Sequence, residues 1–263
     1  MTTTSAPARM DKFRLDGKNA VITGGATGIG RAIAQDFAEA GANVAVISRD
    51  TDKCRQAAEQ LNELAVSTYH GYVDVADPTS ATKAVASVES DLGPIDILVN
   101  NSGIVHWGPT LEADQAAGWD QILAVNLTGV WNMSRAAGRV MVERGSGVIL
   151  NMGSISAFVV NRPQIQPSYN ASKAAVHQLT RSLAVEWAPY GIRVNALACG
   201  YVATDLLSDR LQDPEFQRLW NDTPFGRPGT PDEVAPVARF LVSEASSYLT
   251  GSIVVADGGY TLW

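Results

Sequence analysis

A glycine-rich turn set between an apolar strand and an amphipathic helix constrains this chain more than any other feature. Residues 19–23 read NAVIT, residues 23–30 read TGGATGIG, and helical spacing of apolar residues begins at 29. Gly24, Gly28 and Gly30 are spaced G-x-x-x-G-x-G. Glycines there permit a tight turn and let backbone N–H groups approach a pyrophosphate at a helix N-terminus. Thr27 and Ile29 belong to the same turn. A purely structural strand–helix turn is the bland alternative, but three glycines exceed what such a turn needs.

The same rhythm continues along the chain. Strand-like runs lie at 43–48, 66–73, 95–100, 147–152, 192–198 and 252–258, with helical patterns at 29–40, 51–63, 79–92, 114–142 and 168–188. Alternation of this kind builds a parallel sheet covered by helices on both faces. Strands buried on both sides read apolar nearly throughout, as several of these do. The expectation is one α/β domain, a Rossmann-type doubly wound sheet spanning 13–263. A disordered arm is expected over 1–12. Residues 201–230 break the rhythm with Pro214, Pro224, Pro228 and scattered aromatics, and read as a small helical lid.

Composition restricts the partners. The net charge is −7, without basic blocks, which argues against nucleic acid or an anionic membrane. No run of about 18 apolar residues exists to span a bilayer. Two cysteines, Cys54 and Cys199, make no disulfide framework, and the N-terminus lacks an apolar signal core, so a cytoplasmic enzyme is expected. No His/Cys cluster has metal-ligand spacing, so no catalytic metal is implied.

Tyr169 and Lys173 stand four apart in the helical pattern that opens near 168. Residues at i and i+4 share a helix face, so the ammonium can lie beside the phenol and lower its pKa. A tyrosine poised in this way is a general acid/base. Ser154 could hydrogen-bond the same oxygen. Taken alone, Tyr-x-x-x-Lys is more often a solvated helix face.

Taken together, TGGATGIG (23–30), Asp74, NNSG (100–103), Asn126 in AVNLTG, Ser154 and YNASK (169–173) resemble the short-chain dehydrogenase/reductase family. The resemblance covers residues 14–263. It implies seven parallel strands, a nicotinamide cofactor and interconversion of an alcohol and a carbonyl. By the same resemblance Tyr169 exchanges the proton, Lys173 lowers the phenol's pKa and holds the nicotinamide ribose, Ser154 binds the substrate oxygen, and Asn126 holds a water on a proton path. The alternative for Asn126 is plain helix packing. Asp74 and Val75 would form the adenine pocket. Asn100, Asn101, Ser102 and Gly103 would line the crevice by the ribose, although NNSG could be only a strand-ending turn. Gly200, Val202 and Thr204 would meet the carboxamide.

Relatives that prefer NAD usually carry an acid where this chain has Ser48. Its absence, with Arg49 next door, favours NADP(H) through charge-assisted bonds to a 2′-phosphate. In the competing reading Arg49 lies on the surface and Asp50 holds the ribose. Cys199 replaces the proline usual before Gly200, and reads as an inert buried thiol.

The substrate wall is expected from His106, Trp107, Ser156, Asn161, Gln164 and Tyr201, with bulk from Phe158 and Trp220. For His106 a loop role without contact to substrate is equally open. NRPQIQP before the helix and DGGYTLW at the end most resemble the family's polyol dehydrogenases and ketose reductases. The rivals are a ketoacyl-thioester reductase docking through Arg135 and Arg139, a reductase of small hydrophobic ketones, and a non-catalytic nucleotide sensor. The helices at 114–142 and 168–188 resemble those that pair subunits in family homotetramers. Resemblance also raises a structural magnesium near the terminal carboxylate of Trp263.

Overall fold

The computed structural model describes residues 9–205 and 213–262. One seven-stranded sheet runs in the order β3-β2-β1-β4-β5-β6-β7, with every pairing parallel. The strands are β1 (Asn19–Thr23), β2 (Asn43–Ser48), β3 (Thr68–Tyr72), β4 (Ile97–Asn100), β5 (Gly147–Ser154), β6 (Ile192–Cys199) and β7 (Ile253–Ala256). The order reverses direction between β1 and β4. In such sheets the crevice at that switch point is where ligands bind.

Helices cover both faces. α1 (Gly28–Glu39), α2 (Thr51–Asn62) and α8 (Pro231–Val242) enclose one core with Ile22, Phe37, Val46 and Leu241, all fully buried. α3 (Pro78–Leu92), α5 (Gly129–Arg144) and α6 (Pro167–Trp187) enclose the other with Leu98, Met133, Met141 and Ile149. Burying apolar side chains of this size contributes about 1.5–3 kcal/mol each. β1 and β4 are buried at every residue, as the apolar runs imply.

The helical run expected at 114–142 is observed from 116 to 144, but it is not uniform. π-type turns at Ala116–Asp120 and Ala124–Thr128 flank the short α4 (Gln121–Leu123) before α5 begins. Wide turns of this kind often sit beside functional sites, and Asn126 lies in the second one. Gly129 lets α5 approach the end of β3, since a Cβ there would lie 2.6 Å from Val75. From α5, Asn132 then donates to the carbonyls of Val75 and Ala76.

The arm expected over 1–12 is partly outside the described residues. Arg9–Phe13 forms a 3-10 turn whose Phe13 ring packs 6.3 Å from Phe240, because an aromatic is available there to anchor it. The expected lid contains α7 (Pro214–Asp222), while residues 206–212 lie outside the described set. Its neck is closed by a parallel bridge, Val202 to Gly229, with Ala203 N–H donating to Gly229 O and Gly229 N–H to Tyr201 O. Phe216 and Trp220 are buried against Trp107, Tyr201 and Tyr260. Among the described residues no helix is long and apolar enough to cross a membrane.

Candidate active site

Two adjoining cavities open at the C-terminal ends of the central strands. The outer one, about 440 Å³, is lined by Gly24, Thr27, Gly28, Ile29, Gly30, Ser48, Arg49, Asp50, Asp74, Val75, Asn101, Ser102, Gly103 and Thr204, among others. The inner one, about 210 Å³, is lined by Ser154, Ser156, Asn161, Gln164, Tyr169, Lys173, Gly200, Tyr201 and Val202, among others. Ile29, Asn101, Gly103, Ile104 and Thr204 face both.

The outer cavity has the form a dinucleotide requires. Gly24 and Gly28 adopt φ of +64° and +53°, a region that favours glycine. At Gly30 a Cβ would lie 2.3 Å from the Gly24 carbonyl oxygen and 2.4 Å from Asn101 Nδ2. Thr27 makes no side-chain cap on α1, so the first N–H groups of that helix stay open to an anion. These features fit a nicotinamide dinucleotide, with its pyrophosphate on the glycine turn.

Asn101 pins this turn to the end of β4, donating to the carbonyls of Thr23 and Gly24 at 3.0 Å each. Thr23 Oγ1 accepts from the N–H groups of both Asn101 and Ser102. Asn100, expected in the crevice, is instead buried beneath the sheet. It donates to Ser134 and to Asn151, because the alternation of β4 sends its side chain toward α5 and α6. One oxygen of Asp74 accepts from Ala76 N–H and fixes the turn after β3.

At the end of β2, Asp50 caps α2 by accepting from Lys53 N–H, and it pairs with the Lys53 ammonium at 3.3 Å. Ser48 Oγ accepts from Asp50 N–H and contacts Cys54 Sγ. Arg49 is exposed and makes no ion pair with any described residue.

In the inner cavity β5 ends at Ser154, and α6 presents Tyr169 and Lys173 to it. Lys173 is 5% exposed; its Nζ donates to Met152 O at 2.8 Å and lies 5.5 Å from the centre of the Tyr169 ring. A Cβ on Gly103 would stand 3.8 Å from that nitrogen, so the amine borders the wall shared by both cavities.

The expected drop in the phenol's pKa is opposed by burial. Burial pushes Tyr169 up to about 12, partly offset by the Ser154 hydroxyl. Burial also pulls Lys173 down to about 8. The amine is turned toward Met152 O, and desolvation dominates at both groups. Cys199, in register with Ser154, is likewise pushed up to about 12 by burial, which keeps it a neutral thiol.

Asn126, expected to hold a water, has its side chain bound to protein. Its Oδ1 accepts from Ile104 N–H at 2.9 Å, and its Nδ2 donates to Ile104 O at 2.8 Å and to Ser172 Oγ at 3.2 Å. The wide π turn carries it far enough toward the strand ends to clasp this loop.

Behind Ser154 lies a histidine that sequence reasoning missed. Ser154 N–H donates to His177 Nε2 at 3.4 Å, and the ring stacks near Phe158 at 4.9 Å. Gly153 makes room, since a Cβ there would lie 2.3 Å from Nε2. Burial first, then the charges of Lys173 and Arg181, hold His177 down at about 4. A neutral folded imidazole that titrates near 6.5 when unfolded contributes stability above that pH, lost as the pH falls toward 4. The melting temperature should therefore decline across that window. His177→Gln, which can still accept from Ser154, should flatten the decline; thermal melts with an unchanged slope would remove the assignment.

The expected substrate wall is mostly present. Trp107, Ser156, Asn161, Gln164 and Tyr201 line the inner cavity. His106 does not: its ring lies against Gly108 and Gly118, held there by the close approach of the first π turn. Phe158 is taken by His177, and Trp220 packs edge-on to Tyr201 at 5.4 Å, so neither lines the cavity. Gln166, missed in the sequence, lies at the centre of the wall and is 6% exposed. Its signal was weak because a glutamine before a helix-opening proline reads as a loop residue.

The open α1 N-terminus and a Ser-Tyr-Lys set in the adjoining cavity together define a nicotinamide-dependent oxidoreductase of the Rossmann type. The chain belongs to the short-chain dehydrogenase/reductase family, and it is an alcohol dehydrogenase acting on CH–OH groups. A family model described as enoyl-(acyl carrier protein) reductase matches residues 24–261. The chain is 48% identical over 252 residues to a galactitol 2-dehydrogenase (L-tagatose-forming) of Cereibacter sphaeroides, covering 95% of this chain and 98% of that one. It is 38% identical to a sorbose reductase of Candida albicans, covering 96% and 90%. A gluconate 5-dehydrogenase from Burkholderia cenocepacia, solved with NADP and tartrate, superposes with a TM-score of 0.93 at 37% identity, covering 97% and 100%.

The metal expected at the Trp263 carboxylate lies outside the described residues. Among those residues no group of three or more His, Cys, Asp or Glu could hold a metal ion.

Proposed function

We propose that the protein is an NADP(H)-dependent dehydrogenase interconverting a secondary alcohol of a polyol and the corresponding ketose. The observation that carries this reading is the convergence of Ser154, Tyr169 and Lys173 in one cavity walled by amide and hydroxyl side chains. Such a wall can satisfy the several hydroxyls of a polyol, each of which needs a partner once buried. Its likeness to galactitol and sorbose enzymes points the same way.

The dinucleotide, when bound, supplies the hydride acceptor or donor. Tyr169 then exchanges a proton with the substrate oxygen. Ser154 holds that oxygen where charge develops. Lys173, with its pKa near 8, carries a proton between the phenol and the cleft. Asn126 keeps the Ile104 loop against the cofactor. The α7 excursion serves as the lid. Oxidation of hexitols with NADP⁺ and reduction of ketoses with NADPH test the reading; a protein inert toward both removes it.

For the cofactor, Asp50 is engaged as a helix cap while Arg49 makes no ion pair among the described residues, which supports the 2′-phosphate assignment over the ribose alternative. Arg49→Ala is expected to lower kcat/KM with NADP⁺ about tenfold or more while sparing NAD⁺. A preference for NAD⁺ that ignores this substitution would overturn it. Exposed Trp131 on α5 and Val185 on α6 support a homotetramer paired through these helices; sedimentation that returns a monomer would refute it.

A further inference from the structure

The wall of the inner cavity has a direction, and it can be read from one donor-only group. The Trp107 indole N–H donates to Gln166 Oε1 at 3.0 Å. An indole cannot accept, so this contact fixes which end of the Gln166 amide faces it. The Gln166 NH₂ then donates to Asn161 Oδ1 at 3.0 Å and to Ser156 Oγ at 3.2 Å, with Asn170 Oδ1 a longer third acceptor at 3.3 Å. Asn161, accepting at its oxygen, must donate from its nitrogen, and it does so to Tyr201 OH at 3.1 Å. Tyr201 OH also accepts from Gln164 Nε2 at 2.7 Å.

Two groups are left over. Ser156 Oγ accepts from Gln166, so its own proton turns away from that amide and into the cavity it shares with Ser154, whose Oγ lies 3.0 Å away. Gln164 Oε1 is buried with no donor. The geometry points to Gln166 as a positioning residue that sets this polarity. It leaves Ser156 as a hydrogen-bond donor, and Gln164 as an acceptor, for the hydroxyls flanking the reacting carbon of a polyol. This rests on the polyol reading and adds to it: selectivity for a substrate with more than one hydroxyl is governed by a residue three positions before Tyr169.

The test is Gln166→Glu. A carboxylate accepts from Trp107 but cannot donate, so Ser156 must turn its proton toward it and Asn161 must reverse its amide. The expected result is a rise of about tenfold or more in KM for a hexitol. KM for a secondary alcohol with a single hydroxyl rises several-fold less than that, and the dinucleotide Kd stays within about twofold. Lowering the pH enough to protonate the introduced carboxyl recovers part of the hexitol affinity, since the neutral acid can donate again. Ser156→Ala is the companion: adding Gln166→Glu to it should cost much less than Gln166→Glu alone, because the effect passes through Ser156. Equal losses on both substrates, or additive losses in the double variant, would mean packing only and overturn the proposal. So would an unchanged KM.

Calorimetric titration of the dinucleotide-loaded protein with the hexitol separates this from the function itself. Wild-type binding without turnover, weakened in Gln166→Glu, sinks the reaction and keeps the polarity. Wild-type turnover with no weakening does the reverse. If the wild type does not bind the hexitol, both fall.

Discussion

Tyr169→Phe is expected to lower kcat by about 10²- to 10⁴-fold for every alcohol and ketone while leaving dinucleotide binding within about twofold. The substitution removes one oxygen and keeps the ring that Lys173 overlies at 5.5 Å. Ser154 remains but only hydrogen-bonds the reacting oxygen, and Tyr201 accepts from Asn161 and Gln164. Stopped-flow single-turnover kinetics with fluorescence titration of the dinucleotide would separate chemistry from binding. Near-normal turnover would remove the phenol from the mechanism. In the wild type, kcat/KM for oxidation should rise with pH, since a phenol held near 12 must first lose its proton, and reduction should show the opposite slope.

The second large effect is expected at Gly30. A Cβ there would lie 2.3 Å from a backbone oxygen and 2.4 Å from the Asn101 amide, and the oxygen cannot move without opening the turn. Overpacking of this kind costs about 1–3 kcal/mol. Gly30→Ala should therefore weaken dinucleotide binding by roughly 5- to 150-fold by the same arithmetic. Gly28→Ala meets nothing closer than 3.4 Å and carries only the strain of φ +53°, so its loss should be smaller. Equal losses at the two positions would show that conformational freedom, not contact, is what Gly30 provides.

The parallel sheet and both helical layers were legible in the sequence because period and run length are local properties. β1 and β4 are buried throughout and read as unbroken apolar runs. The glycine turn was legible because its spacing is itself the geometry. What stayed hidden depends on long-range placement. Asn100 and Asn101 are neighbours in sequence, yet strand alternation sends one under the sheet and the other onto the glycine turn. His177, two turns beyond Tyr169, reads as an ordinary helix residue until Gly153 brings β5 against it. The effect of burial on the phenol stayed hidden because i,i+4 spacing reports adjacency and not burial.

The bridge between Val202 and Gly229 gives the excursion over the site a consequence for diversification. Inside that bridge the segment leans on the site wall through Trp220 against Tyr201. Swapping residues 213–228, with Trp220 kept, for those of a relative of different preference should transfer appetite for substrate while Thr204 and the redox machinery stay as they were.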